Sequence, residues 1–196
     1  MSDVNPFAAP PADDAAQPAP ARATSPPFEA FPVWKIALMM PLTFGLYAIY
    51  WMYRQHTRRA GRGADIWPSA RALFHLFFVH RLMDDVRVEA EQADLEPPET
   101  WWIATVYVIV LLVENLYSRA TANVVLGLVG DFLLPLLFVA LRTFFLIQAQ
   151  QAIDRVLDHV APDRDRGGRL GAGFLLTLAV FSSLWALGLL GTLLPE

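Results

Sequence analysis

From Leu170 to Pro195 the chain contains no charged residue. A bilayer core takes about 20 consecutive, mostly apolar residues for one helical crossing, and a water-soluble domain has no use for an uncharged run of that length. Three further segments are built in the same way. The predicted spans are 33–53, 101–118, 123–147 and 170–194; Ile36–Tyr53 is uncharged, and Asp131 and Arg142 interrupt the third. Composition agrees: 17% of the 196 residues are charged and 55% hydrophobic, against about one-quarter charged in a soluble domain. The expected fold is all-α: a multi-pass membrane helical bundle of about four transmembrane helices plus one interfacial amphipathic helix.

Two domains follow from composition. Residues 1–32 hold eight of the fifteen prolines among many alanines and read as a disordered, partly polyproline-like tail. Residues 33–196 form the membrane domain. Between the first two spans, the apolar run Ala72–Met83 is too short to cross. With Pro68 suited to a first turn, it predicts an interfacial cytoplasmic helix over about 67–93. Its histidines His75 and His80 are five apart and do not share a helical face, which removes a two-histidine metal site.

Arginine sets the orientation. Arg54, Arg58, Arg59, Arg62, Arg71, Arg81 and Arg87 lie between the first two spans, and Arg155, Arg164, Arg166 and Arg169 between the last two. Cationic loops stay in the cytoplasm, so both arginine-rich connections are predicted inside and both termini outside. One feature divides the topology. Met40-Pro41-Leu42-Thr43-Phe44-Gly45 lies in the middle of the first span, where proline removes a donor and glycine loosens the backbone. A kinked crossing is favoured on length. A complete break would make the segment a re-entrant hairpin and leave the tail cytoplasmic, and the arginine count fits both.

The run Thr43-Phe44-Gly45-Leu46-Tyr47-Ala48-Ile49-Tyr50-Trp51 resembles the T-F-G-x-Y-x-x-Y-W signature of small bacterial inner-membrane proteins grouped as a domain of unknown function. Phe31-Pro32-Val33, Arg71-Ala72-Leu73-Phe74 and Gln150-Gln151-Ala152-Ile153-Asp154-Arg155 extend the similarity over roughly residues 31–160. Asp154 stands where that family has asparagine. The resemblance implies a bacterial inner-membrane protein and assigns no activity. Read physically, Tyr47, Tyr50 and Trp51 form an aromatic belt above Arg54, Arg58 and Arg59, an interface anchor able to contact anionic lipid headgroups.

Ionisable groups inside spans are functional candidates because burying them is costly. Glu114 and Asp131 fall at similar depth on either side of a tight turn, with Lys35 and Arg119 expected on the same side. These four form a candidate intramembrane polar cluster that either locks the bundle or, through its two carboxylates, holds a proton or cation. Arg142 is expected to snorkel toward the cytoplasmic interface.

Enzyme readings find no support. Cysteine is absent, and no phosphate-binding glycine loop, zinc motif or nucleophile elbow is present. Asp163-Arg164-Asp165-Arg166-Gly167-Gly168 lacks the ligands of a calcium loop. No cofactor, metal or catalytic residue is expected. Net charge −4 argues against nucleic acid. The expected role is a non-enzymatic structural or accessory membrane component acting through the lipid bilayer, a protein partner or a second copy of itself; the alternative is a small transporter or channel subunit using Glu114 and Asp131.

Overall fold

The computed structural model describes residues 25–124, 126–164 and 171–193. Most of the expected proline-rich tail, Arg166 and Arg169, and the ends of the fourth predicted span lie outside them. Among the described residues every regular element is helical: α1 (Val33–Leu42), α2 (Tyr47–Gly61), α3 (Pro68–Leu73), α4 (His75–Gln92), α5 (Trp101–Thr121), a π turn (Leu128–Leu133) running directly into α6 (Leu134–Val160), and α7 (Ala172–Leu193).

The first predicted span is two helices rather than one. After α1 the chain reverses, so that Glu29, just before α1, lies against Arg54 and Arg58 on α2. Phe31 meets Tyr47 and Tyr50 edge to face. Local chemistry dictates the reversal. Pro41 cannot donate within the last turn of α1. Phe44 (φ 53°) and Gly45 (φ 86°) then adopt left-handed backbone, and the Gly45 N–H reaches back to the Met40 carbonyl at 2.7 Å, a helix-closing bond of the Schellman kind. Thr43 joins the two helices: its hydroxyl donates to the Met39 carbonyl (2.7 Å) and accepts the first N–H of α2, from Tyr47 (3.0 Å). The kinked crossing is therefore replaced by a hairpin whose α1 is too short to traverse a bilayer. Residues 28–31, assigned to the tail on composition, are packed: Phe28 and Phe31 are buried in the core.

The predicted interfacial helix is broken at Phe74 into α3 and α4, and Pro68 begins α3 as a first-turn proline should. Val79, Leu82, Met83, Val86 and Ala90 are buried along one stripe of α4, while Trp67, Phe74 and Phe77 stay exposed at its other end. Arg59 on α2 ties α4 down through Asp85 (2.9 Å) and Glu89 (3.3 Å).

Helices α5 and α6 run antiparallel, with Tyr117 beside Phe138 and Glu114 beside Arg142. The π turn precedes Pro135, whose ring would collide with the Asp131 carbonyl in a regular α-helix; the wider turn removes the collision. α6 continues well past the predicted end at 147 and is about 40 Å long by helical rise. Its two halves have different surroundings. Around its first half Leu112, Leu116, Leu133 and Leu137 are exposed. Around its second half Leu82, Met83, Ile153, Val156 and Leu157 make a core of the kind found in soluble bundles. Two helices, Trp101–Thr121 and the continuous Val129–Val160, are long and apolar enough to cross a membrane; Val33–Leu42 and the Phe174–Leu187 part of α7 are apolar but shorter.

Gly45 provides a direct test. A Cβ there would lie 2.0 Å from Nη2 of Arg142, whereas at Gly63 (φ 88°) it would meet open space. Both Gly→Ala changes carry the left-handed backbone cost of about 1–2 kcal/mol. Gly45→Ala is expected to cost at least about 2 kcal/mol more than Gly63→Ala, by overpacking against a buried group. Thermal unfolding of the two variants in mild detergent measures the difference, and equal losses would remove the Arg142 contact from the account.

Candidate functional site

The hairpin is held at two levels, both of them on α6. At its tip, Arg142 is buried on α6, directs Nη2 at the Phe44 carbonyl (3.2 Å) and pairs through Nε with Glu114 (3.1 Å). Only a residue without Cβ at position 45 leaves room for the guanidinium. The expectation that Arg142 snorkels to an interface is overturned. A left-handed turn leaves a carbonyl unused at the tip; the arginine donates to that carbonyl and sets its charge against the Glu114 carboxylate, the counter-charge a buried cation needs. Phe44 stacks on Trp185 of α7 at 4.7 Å, and the Trp185 indole N–H donates to the Leu42 carbonyl (3.1 Å).

About 12 Å further along α6 by helical rise, Gln150 fastens the base of the hairpin. Its Oε1 accepts from the Trp51 indole (2.7 Å) and from Gln55 Nε2 (3.2 Å). Its Nε2 donates to Asp154 (3.0 Å) and to the Glu29 carbonyl (3.3 Å). Gln55 completes the knot by accepting the Glu29 N–H (2.9 Å) and donating to the Glu29 carbonyl (3.0 Å). Trp51, Gln55 and Gln150 are fully buried, so the bonds among these three are made without competing water. The Glu29 carboxylate lies between Arg54 (2.6 Å) and Arg58. Burial alone would raise its pKa, but the bonds from Arg58 and Arg54 prevail and hold it below the usual carboxylate value.

The predicted interface anchor is thus divided. Tyr50 is about half exposed, as a belt residue should be, and Tyr47 is partly buried. Trp51 faces inward, because Trp51 and Gln55 share the helix face turned toward α6. Arg54, Arg58 and Arg59 are engaged by Glu29, Asp85 and Glu89. The predicted polar cluster is divided as well. Glu114 and Asp131 border one small cavity of about 160 Å³, together with Phe44 and Trp185. Arg119 instead bonds Asn115 on its own helix (2.9 Å). Lys35 lies near the hairpin base, its ammonium 5.7 Å from the rings of both Trp34 and Phe174. Asp131 accepts the N–H groups of Leu126 (3.1 Å) and Gly127 (2.9 Å), capping the π turn. Sequence reasoning missed Glu29 and Gln55 altogether; the four-residue spacing from Trp51 to Gln55 is the signal that could have found the latter.

A larger cavity, about 570 Å³, opens between the hairpin and α7. Glu29, Lys35 and Tyr50 stand at one end and Leu46 and Phe181 at the other. Among the described residues no three histidines or carboxylates converge as a metal would require.

His56, on α2 beyond the uncharged run that ends at Tyr53, is fully buried and neither ring nitrogen has a hydrogen-bond partner. Burial first, then the nearby charges of Arg71 and Arg59, push its pKa down to about 4. The unfolded chain takes up this proton near pH 6.5 and the folded chain only near 4. Stability therefore falls as pH drops through that window, by roughly 3 kcal/mol in all. Asp85, whose pKa burial raises against Arg59 and Arg81, acts in the opposite sense. His56→Leu is expected to flatten the dependence of Tm on pH between 6.5 and 4; an unchanged slope would assign acid sensitivity elsewhere.

The two carboxylates separate by variant. Glu114→Gln strips a buried arginine of its counter-charge and is expected to cost about 3–5 kcal/mol, whereas Asp131→Asn keeps an acceptor at a helix cap and is expected to cost less than about 1 kcal/mol. Chemical or thermal unfolding in detergent checks the order. Comparison of the chain with family models, curated proteins and solved structures returned no match, so the reading that follows rests on geometry and charge.

Proposed function

We propose that this chain is a non-enzymatic component of a bacterial inner membrane, acting through lipid or protein partners. It crosses with α5, α6 and α7 and inserts the α1–α2 hairpin from the cytoplasmic side. One observation carries the reading: Glu29 before α1 and Gln55 on α2 meet at the same level of α6, while the tip between them reaches Arg142 and Trp185. A segment that enters and leaves on one side brings its two ends together in this way, and a crossing segment does not. At the tip Thr43 and Gly45 are buried, and the Phe44 and Leu42 carbonyls are bonded by Arg142 and Trp185, as irregular backbone inside a bilayer requires. The arginines of α2, α3 and α4 then lie on the cytoplasmic side, in keeping with the positive-inside rule. Exposed Trp67, Phe74, Phe77 and Trp101 suit the headgroup layer of the same leaflet. The resemblance carried by Thr43–Trp51 is consistent with this role, since Thr43, Phe44, Gly45 and Trp51 all serve to build and hold the hairpin.

A proton or cation site at Glu114 and Asp131 is the second reading, favoured by the small cavity the two carboxylates share. Against it, Glu114 already faces Arg142 and Asp131 already caps backbone. Both groups therefore have structural work, and locking the bundle is the better account.

Topology is the test. A dual reporter active as a phosphatase outside and fluorescent inside, fused in turn before residue 1 and after residue 196, is expected to report a cytoplasmic amino terminus and an external carboxyl terminus. A periplasmic amino terminus would overturn the hairpin reading.

A further inference from the structure

We infer that the corner between α3 and α4 is inserted into the hydrocarbon of the cytoplasmic leaflet, where Leu73, Phe74 and Phe77 touch lipid acyl chains. The inference rests on the crossing of α5 in the proposed topology and adds a depth. Exposure alone takes these side chains no further than the headgroup layer; their register against α5 carries them past it. Three contacts fix that register. The Thr100 hydroxyl, just before α5, donates to the Met83 carbonyl (3.3 Å). His80 Nε2 lies 3.1 Å from the Thr105 hydroxyl, and the His75 ring meets the Tyr107 ring at 6.1 Å. Met83 back to His75 therefore runs beside Thr100 to Tyr107, about 12 Å of one helix against about 11 Å of the other by helical rise. The 21 residues of α5 span about 31 Å, close to the hydrocarbon thickness of about 30 Å, so Trp101 at its start marks the cytoplasmic boundary. Beside Tyr107, His75 and its neighbour Phe74 lie about 9 Å inside that boundary by helical rise.

The chemistry of the corner suits that depth. Ala72–His80 holds no aspartate, glutamate, lysine or arginine, whereas Asp84, Asp85, Arg87, Glu89 and Glu91 follow Met83 on the part of α4 that lies level with Thr100 or beyond it. Leu73, Phe74 and Phe77 are 64%, 52% and 71% exposed, while Ala72, Val79 and Leu82 face the core. The nearest cation, Arg71, lies over the Phe78 ring (5.1 Å), one turn from Phe74 toward the boundary, as a snorkelling arginine does. One residue alone interrupts the helices. Phe74 (φ −95°, ψ 35°) ends α3; its N–H donates to the Ala70 carbonyl (3.0 Å) and its carbonyl accepts from the Phe77 N–H (2.9 Å). Both backbone groups of the corner residue are thus paired, as hydrocarbon demands. The occupant follows from the depth: around this part of α5, where Ile109 is also exposed, the medium is lipid.

The chain has no cysteine, so Phe77→Cys, Leu73→Cys, Ile109→Cys and Gln92→Cys each introduce a single thiol at an exposed position. Each full-length variant is labelled with a nitroxide in vesicles of phosphatidylethanolamine and phosphatidylglycerol. Electron paramagnetic resonance then measures collisions with oxygen, which enters hydrocarbon, and with a neutral nickel chelate, which stays in water. At positions 77 and 73 the oxygen-to-nickel ratio is expected to exceed that at 92 by at least about tenfold, because a polar chelate is excluded from hydrocarbon. Position 109, deeper in the α5 crossing, is expected to give a higher ratio still. A ratio at 77 or 73 no greater than at 92, with 109 shielded from nickel, would overturn the inserted corner alone. Labels at 77 and 73 shielded from both reagents would replace the lipid with a protein contact and overturn the occupant. Nickel access at 109 overturns the crossing of α5 beneath the inference.

Discussion

A buried guanidinium organises this molecule. Arg142 stands in the middle of its longest helix, in surroundings where an unpaired cation would be prohibitively costly. Two groups offset the penalty: the carboxylate of Glu114 on α5 by charge, and the Phe44 carbonyl at the hairpin tip by a hydrogen bond. The arginine therefore joins three elements, α5, α6 and the hairpin, at one point. It also explains the glycine beside it. Position 45 needs left-handed backbone and no Cβ at once, and glycine alone meets both conditions.

The Gln150 knot does the complementary task at the hairpin base. An amide can donate and accept simultaneously, and Gln150 uses both capacities to hold an indole, a second amide, a carboxylate and a backbone carbonyl. Fixing tip and base to the same helix, about 12 Å apart by rise, determines both the depth and the tilt of the hairpin. A space remains between hairpin and α7, with Trp34 against Phe174 at one end and Phe44 against Trp185 at the other.

Much of this was legible in the sequence, and what was not shares one cause. Helix-only architecture, the Trp101–Thr121 helix, the helix starting at Pro68 and the break around Pro41–Gly45 all follow from local pattern. The destination of the chain after the break does not. A kink and a reversal use the same residues, and they differ in whether Glu29 finds Gln55 and Gln150, partners 26 and 121 residues away. Trp51 was misplaced on the surface for the same reason: amphipathic aromatics suit an interface and a satisfied core equally well, and only the position of Gln150 decides between them. The polar cluster was half legible. Equal counting from the α5–α6 turn brings Glu114 and Asp131 to one cavity, but it could not foresee that Lys35 would be carried to the hairpin base.

Sequence alone determined the helical class of this protein, its long apolar runs and the residues at which its backbone must turn, because those depend on apolar run length, charge spacing and the conformational limits of proline and glycine. Tertiary structure decided the direction of the turn, the partner of each buried charge and the existence of the cavity. These depend on which groups meet across α6 and α7, and no local pattern contains that information.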